Sequence, residues 1–436
     1  MGASTVTQGG AAAMIVQSAT IMTMNRSRPT AFNGMTGALP NQSKAETLAR
    51  GTTKIQSATG MPVVTAKDFM AGDGDEIVFD FLRPPKMIPV MGDNMAEGRG
   101  VGFDFVDDRF RIKQARFPIN PGSRSTRKRT KHDMKKFGKA FAQQAVDNYI
   151  DQRLSTQIFS GRGTVDNIEW VIPLTDSTEH SFSDIMVNPV KAPSRNRHWV
   201  CESSGASLVK LTPAAGEINI STADIFNRDL VQTLDGLMTY LVAAPRHISV
   251  PGDKMVTQQP VTVLLVPKIA YKAFMANAAY QQLRANALTR ATKAGNSPVF
   301  NQTDAYDANF LIIPVPWLHA WKAGEDVPYC ASTTSQTEST AKVPAAFGTT
   351  HVLSRCVVLG ESAIGEAFGT FDDTQSPIFY NEKDFDHGDK MEQLAGVLGG
   401  CSKIQYLMDF NGTEEWTDNG LVTVDIAVPI PDIQAI

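Results

Sequence analysis

The hydrophobic pattern changes period several times along the chain. From Glu76, Ile77, Phe79 and Phe81 alternate with Val78 and Asp80, the period of two that marks a strand. Pro84 and Pro85 stop it, and a turn-rich stretch, PVMGDNMAEGRG, follows. A second alternating run, DDRFRIKQARFPIN, puts Phe110 and Ile112 on one side and Arg109, Arg111 and Lys113 on the other, until Pro121-Gly122 ends it. A face this charged is too wet for a core strand. Two strands joined by a long glycine-rich stretch predict an extended antiparallel arm.

Beyond it the apolar steps lengthen to three to five residues: Met134, Phe137, Phe141, Ala145, Tyr149, Leu154 and Ile158. That spacing places them on one face of a helix. Thr130 and Asp133 stand at capping-box spacing, with Asp in place of the usual Glu or Gln. The helix is expected over 131–159, roughly 43 Å at 1.5 Å per residue. It is longer than the usual three turns, so it should act as a spine on which other elements pack.

Residues 162 to 215 carry only short apolar pieces, and α/β texture then begins. Ser221 or Thr222 is the expected cap of a helix with Phe226, Leu230, Leu234, Leu237 and Leu241 on one face. VTVLLV (261–266) reads as a buried strand. Pro267 opens a helix through KIAYKAFMANAAYQQLRANALTRATK, and NFLIIPV is a further strand. VLSRCVVLG reads as a strand turning at Gly360 into a short helix, ESAIGEAFG. MEQLAGVLGGCSKIQYL is a glycine-rich strand. Asn419-Gly420 is the strongest hairpin turn, with Val422, Val424, Ile426 and Val428 alternating after it. Residues 1 to 72 have no sustained period beyond a short helix at NQSKAETLAR, and only Glu46 and Asp68 are acidic. Such a segment buries too little surface to fold alone.

Charge changes the picture more than composition does. The 436 residues are 42% hydrophobic and 20% charged, ordinary for a globular chain. No apolar run is long enough to span a membrane, and the first residues make a poor signal peptide. Cys201, Cys330, Cys356 and Cys401 are far apart, with no metal spacing, and read as unpaired thiols. The formal net charge is -4, yet residues 1–140 hold 21 Lys/Arg against 12 Asp/Glu, and residues 361–436 hold 15 acids against three lysines. Eight of the basic residues fall in SRSTRKRTKHDMKKFGK (123–139). A basic front and an acidic back suit copies that meet front to back.

No catalytic motif stands. There is no GxxxxGK[ST] loop and no HExxH. GESAIG around Ser362 has Ile364 where a nucleophile elbow needs Gly. Asp384, Asp386, His387 and Asp389 match no cation-loop spacing, and GDGDE (Asp73, Asp75, Glu76) raises the same doubt. His132 and Asp133 are helical neighbours that point apart. His198 and Cys201 lack an orienting third group. The basic block has no interleaved aromatics, so sequence-specific DNA reading is not expected. Neither cofactor nor metal is expected.

Several stretches, in order, resemble the major capsid protein of tailed bacteriophages. This fold is named for a Hong Kong coliphage and shared with the herpesvirus capsid floor. The residues look most like the branch in podophages of the N-four type. GDEIVFDFLRPPKMIPVMGDNMAEGRG is similar to that family's extended loop, RFRIKQARFPI to its return strand, and RTKHDMKKFGKAFAQQAVDNYIDQRLSTQIFSG to its spine helix. PSRNRHW, VTVLLVPKIA, RCVVLGESAIGEAFG and EKDFDHGDKMEQLAGVLGG then follow in the family's order.

The resemblance implies an α+β chain. Over about 70–408, which the resemblance covers, its parts are an extended loop (73–122), a peripheral domain with the spine (123–215), an axial α/β domain (216–375) and peripheral return strands (376–408); outside it, the polar N-terminal arm (1–72) and a C-terminal hairpin extension (409–436) are expected from their own residues alone. It implies a structural subunit that forms hexamers and pentamers of an icosahedral head around double-stranded DNA. Expected partners are copies of itself, a portal, a scaffold or decoration protein, and non-specifically held DNA, with no membrane. A tail-tube or sheath subunit and an α/β enzyme are the alternatives. Under that resemblance the expected intersubunit contacts are Arg109, Arg111, Lys113, Arg124, Arg127, Lys128, Arg129 and Lys131 on one side. Asp384, Asp386 and Asp389 would face them.

Overall fold

The computed structural model describes residues 36–38, 61–66, 76–83, 89–102, 104–124, 134–166, 170–174, 176, 181–248, 261–278, 280–282, 305–369, 377–410 and 412–430. It is an α+β chain with few helices and extensive sheet. Two arm segments, β1 (Thr36–Ala38) and β2 (Val63–Ala66), pair in parallel. β3 (Glu76–Arg83) and β4 (Asp104–Arg111) run antiparallel, from Glu76 opposite Arg111 to Arg83 opposite Asp104. The connecting residues 91–102 are all exposed, so the first alternating run and the second as far as Arg111 form a two-stranded projection, while the rest of the second run does not belong to it. After Ile112, β5 (Lys113–Ile119) enters the main sheet.

The spine is α1 (Met134–Ile158); the expected cap at Thr130 and Asp133 lies outside the described residues. Over its first turns the face it buries is one residue off the expected one, whereas Tyr149, Leu154 and Ile158 are buried as expected. Ala142 and Val146 are buried, and Phe137 is 48% and Phe141 61% exposed. Space decides this. An added Cβ on Gly138 would lie 2.3 Å from Gln393 Oε1, so small residues face the sheet and the aromatics turn outward. From Tyr149 to Ser160 every residue is buried, including Asp151, Gln152, Arg153 and Gln157. A helix enclosed on all sides loses its amphipathic period there.

In chain order α2 (Phe182–Met186), β6 (His198–Glu202), β7 (Ser207–Lys210), α3 (Arg228–Tyr240), β8 (Thr262–Pro267) and α4 (Lys268–Ala276) follow. The cap of α3 is Asn227, whose side chain accepts from Leu230 N–H at 2.9 Å. Ser221 instead donates through backbone and hydroxyl to Asp224. The helix predicted beyond Pro267 is observed to Ala276, and residues 283–293 of it lie outside the described residues. Then come β9 (Ala305–Asp307), β10 (Phe310–Val315), β11 (Ala320–Trp321), the hairpin of β12 (Asp326–Cys330) with β13 (Glu338–Lys342), and β14 (His351–Leu359).

ESAIGEAFG is not a helix. Its residues Ile364–Phe368 form β15, buried throughout, between β2 in parallel and β17 (Lys390–Lys403) antiparallel. Two flanking strands outweigh a weak local helix preference. β16 (Ile378–Phe385) also pairs with β17, giving a six-stranded sheet β1-β2-β15-β17-β16 with β5 on the free side of β17. Tyr149, Ile150, Tyr380, Ala395 and Val397 form its core against α1.

The C-terminal part differs most from expectation. The hairpin is β18 (Gln405–Phe410) with β19 (Thr413–Asp418). Asn419-Gly420 joins β19 to β20 (Leu421–Pro429), which lies in the other sheet. β20 is no appended extension. It is central in the order β7-β6-β20-β14-β8-β10-β9, parallel to β6 and antiparallel to β14 over nine residues. Val422, Val424, Ile426 and Val428 pack with Leu230, Leu234 and Phe274 of the α3–α4 layer. Thr423 and Asp425 are buried on the other face.

Candidate assembly interface

The basic strip starts on the projection. Arg109 Nε lies 3.1 Å from Asp107, Arg111 Nε 3.3 Å from Glu76, and Lys113 Nζ 3.5 Å from Asp184. These pairs are exposed, so each contributes about 0–1 kcal/mol and leaves donors for other partners. Arg124 N–H donates to Asp389 O at 2.9 Å. Its guanidinium passes beside Gly388, where an added Cβ would stand 3.2 Å from Nη2. The β16–β17 turn is made by Asp386, His387 and Gly388, all at positive φ. Lys390 Nζ closes it onto Asp386 at 3.0 Å. At the start of the spine, Lys135 Nζ meets Glu382 at 2.6 Å, and Tyr380 OH donates to the same carboxylate. Burial raises the Glu382 pKa, but Lys135 and Tyr380 outweigh it and hold the carboxyl below its ordinary value.

The start of the basic block and part of the acidic last quarter therefore meet inside one chain. Asp384 is exposed on the same hairpin. Arg127, Lys128, Arg129 and Lys131 lie outside the described residues. Among the described residues no three His, Cys, Asp or Glu gather as metal ligands. Ser362 is a turn residue whose N–H donates to Met61 O and whose carbonyl accepts from Asn419. Burial pushes the Cys201 thiol up to about 12, and His198 points to Asp425 rather than to it.

The base of the projection is fixed by Asn188. Its side-chain oxygen accepts from Arg111 N–H at 2.7 Å, and its amide donates to Arg111 O at 2.9 Å and to Cys401 O at 3.2 Å. It thus stands between β4 and β17, two residue pairs beyond Lys113 opposite Gly399. An asparagine in place of a ladder hydrogen bond peels the projection off the sheet.

Beneath it runs a buried polar network that the sequence pattern did not reveal. Lys191 Nζ binds both oxygens of Asp108 at 3.0 and 2.9 Å, and Asp108 also accepts from Gln405 N–H. Lys403 Nζ donates to Ser160 Oγ at 2.9 Å and Ala192 O at 3.0 Å, and lies 3.4 Å from Asp418. Arg355 donates to Asp425, to Phe159 O and Ser160 O at the spine's end, and to Pro328 O. His198 Nε2 lies 2.8 Å from the second oxygen of Asp425. Burial drives the His198 pKa down; at Asp425 burial acts upward, but His198 and Arg355 prevail and hold its carboxyl low. The ionised pair is Arg355 with Asp425, and neutral His198 donates. Projection, spine and both sheets are locked together. The legible trace was a lone charge inside each apolar run, as in SRCVVL and TVDIAV.

Apolar surface is left over. Met91 is 70%, Met95 66% and Val101 49% exposed on the projection, facing no described core, while Phe137 and Phe141 stand out on the spine.

This architecture is the tailed-phage capsid fold. The capsid of Ralstonia phage GP4 superposes with a TM-score of 0.62 at 17% identity over 92% of both chains. The capsid subunit of cyanophage Pam1 gives 0.54 at 13% over 85% of this chain and 89% of that one. The acid-stable capsid of Helicobacter pylori bacteriophage KHP30 gives 0.52 at 10% over 92% of each. No curated protein matched. A phage capsid protein family model matches residues 5–430. The chain belongs to the phage capsid protein family, and its function is that of a major capsid protein.

Proposed function

We propose that this chain is the repeating subunit of an icosahedral head, assembled in the host cytoplasm as hexamers and pentamers that close around double-stranded DNA. The observation that carries this is the exposure, among the described residues, of the large apolar side chains Met91, Met95, Val101 and Phe141. In this reading the projection (73–122) lies over a neighbouring copy and sets Met91, Met95 and Val101 against Phe137 and Phe141 of that copy's spine. The arm (1–72) lies along neighbours, and the α/β portion (216–375) turns toward the capsomer centre. Arg109, Arg111, Lys113, Arg124, Arg127, Lys128, Arg129 and Lys131 would meet carboxylates of an adjacent copy, Asp384, Asp386 and Asp389 among them. Charge sets register there, while apolar burial supplies the holding energy.

A portal, and a scaffold or decoration protein, would complete the head. Electron microscopy of the purified protein tests the reading: closed shells are expected, and tubes would indicate a tail-type subunit instead. Arg127→Glu with Arg129→Glu tests the basic block. Loss of shells supports pairing between copies; normal empty shells that fail only when filled would assign the block to DNA phosphate.

A further inference from the structure

Two residues of β4 are held by one short strap, residues 187–192, which leaves the end of α2: Arg111 by Asn188 and Asp108 by Lys191. Within the strap Val187 has φ 67° and ψ -52°, and Asn188 N–H donates back to Met186 O at 2.7 Å. That is the strained form of the γ-turn, and a β-branched side chain is out of place at positive φ. Such strain persists only where the surroundings hold it. Here the spine holds it from both ends. Tyr149 OH donates to Ile185 O at 2.7 Å, two residues before Val187. Gln157 Nε2 donates to Asn188 O at 3.2 Å and Pro189 O at 3.3 Å, just after it. These two anchors stand two turns apart on one helix, roughly 12 Å at 1.5 Å per residue. Gln157 turns its amide to the strap although its Oε1 is then buried with no partner among the described residues, an arrangement that costs energy.

We propose that this strap is a spring-loaded latch. The strain at Val187, held between Tyr149 and Gln157, relaxes when the spine lets go of Ile185 O, and Asn188 then releases Arg111. Asn188 makes three bonds of fixed geometry at the root, whereas Lys191 reaches Asp108 through a flexible stem. With the latch open the projection therefore turns about Asp108. The γ-turn is the two-state element that spine and projection both bias, so a load on one is felt at the other. Its use in assembly rests on the capsid reading above: a neighbour seated on the spine's outer face frees the projection for its next contact.

Hydrogen exchange of the Arg111 amide, read on the unassembled subunit against the amides of β14, tests the latch. Val187→Asn and Val187→Gly both admit positive φ. Each should slow exchange at Arg111, Val187→Asn by roughly tenfold, an amount within the strain such a residue stores. Tyr149→Phe takes the hydroxyl from Ile185 O. It should quicken Arg111 exchange when Val187 is present and hardly change it beside Val187→Asn, where no strain is left to pull; this non-additivity is the signature of the latch. Unchanged or faster exchange in both 187 variants overturns the strain. Equal quickening by Tyr149→Phe in both backgrounds overturns the part given to the spine. Val187→Asn should also lower shell yield without moving the subunit's melting; a normal yield overturns the use in assembly and leaves the latch itself standing. A wild-type protein that forms no shells removes the capsid reading, and exchange still decides the latch.

Discussion

Arg355 on β14 and Asp425 on β20 are register partners, Nε to Oδ1 at 3.0 Å, and neither side chain reaches solvent. Asp425 also holds His198. Removing the acid strands a buried guanidinium. Asp425→Ala should destabilise the unassembled subunit by about 3–5 kcal/mol, read as a lower urea midpoint. Arg355→Met with Asp425→Leu should lose less than Asp425→Ala alone. It will not be neutral, because the carbonyls of Phe159, Ser160 and Pro328 lose their donor.

Acid should weaken the subunit before its carboxylates titrate. Burial holds the His319 pKa at about 3 against 6.5 for a free imidazole. Its Nδ1 lies 2.9 Å from Gly161 O, which can only accept, so that nitrogen carries the hydrogen. The unfolded chain takes up a proton near pH 6.5 and the folded chain does not. Stability thus falls as pH drops from about 6.5 toward 3, by about 1.4 kcal/mol per pH unit for each such histidine. His198 adds in the same direction. Asp147, raised by burial to about 6, acts oppositely between about 6 and 3.8. Urea midpoints at pH 7, 6 and 5 should decline, and His319→Gln should flatten the slope.

Asn188→Ala removes three hydrogen bonds at the root of the projection. An unsatisfied buried backbone group costs about 1–3 kcal/mol, so a loss of about 2–4 kcal/mol is expected. Amide exchange at Arg111 should quicken while that of β14 stays slow. Uniform acceleration across both would count against a hinge confined to this root.

Phe141→Asp separates folding from assembly. The ring is 61% exposed, and surface changes usually stay within about 0.5 kcal/mol. Subunit melting should hardly move, whereas shell yield should collapse. A normal shell yield would rule out the spine's outer face as a contact.

Strands with alternation in their own residues, such as β3, β4 and β20, and continuous apolar runs, such as β8, were legible because each carries its strand signal locally. The spine's existence was legible, as was its buried stripe at Tyr149, Leu154 and Ile158, but the stripe of its first turns was not. A close helix–sheet approach selects Gly138 and Ala142 over the larger Phe137 and Phe141, a preference set by Gln393 from 255 residues away. β15 was missed because its strand character comes from β2 and β17 and not from its own residues. Of the interface, the exposed charges at Arg109, Arg111 and Lys113 were visible as a polar face. The Asn188 root and the Arg355–Asp425 pair join residues 70 to 213 positions apart, which no local pattern encodes.

The place of β20 has a consequence for synthesis. A ribosome makes β6 and β14 long before the strand that must lie between them, so a nascent chain holds its larger sheet as two separate halves. Premature termination products lack the central plank and cannot pass as finished subunits. A chain cut short before Leu421 is therefore expected to fail as a building block of the container.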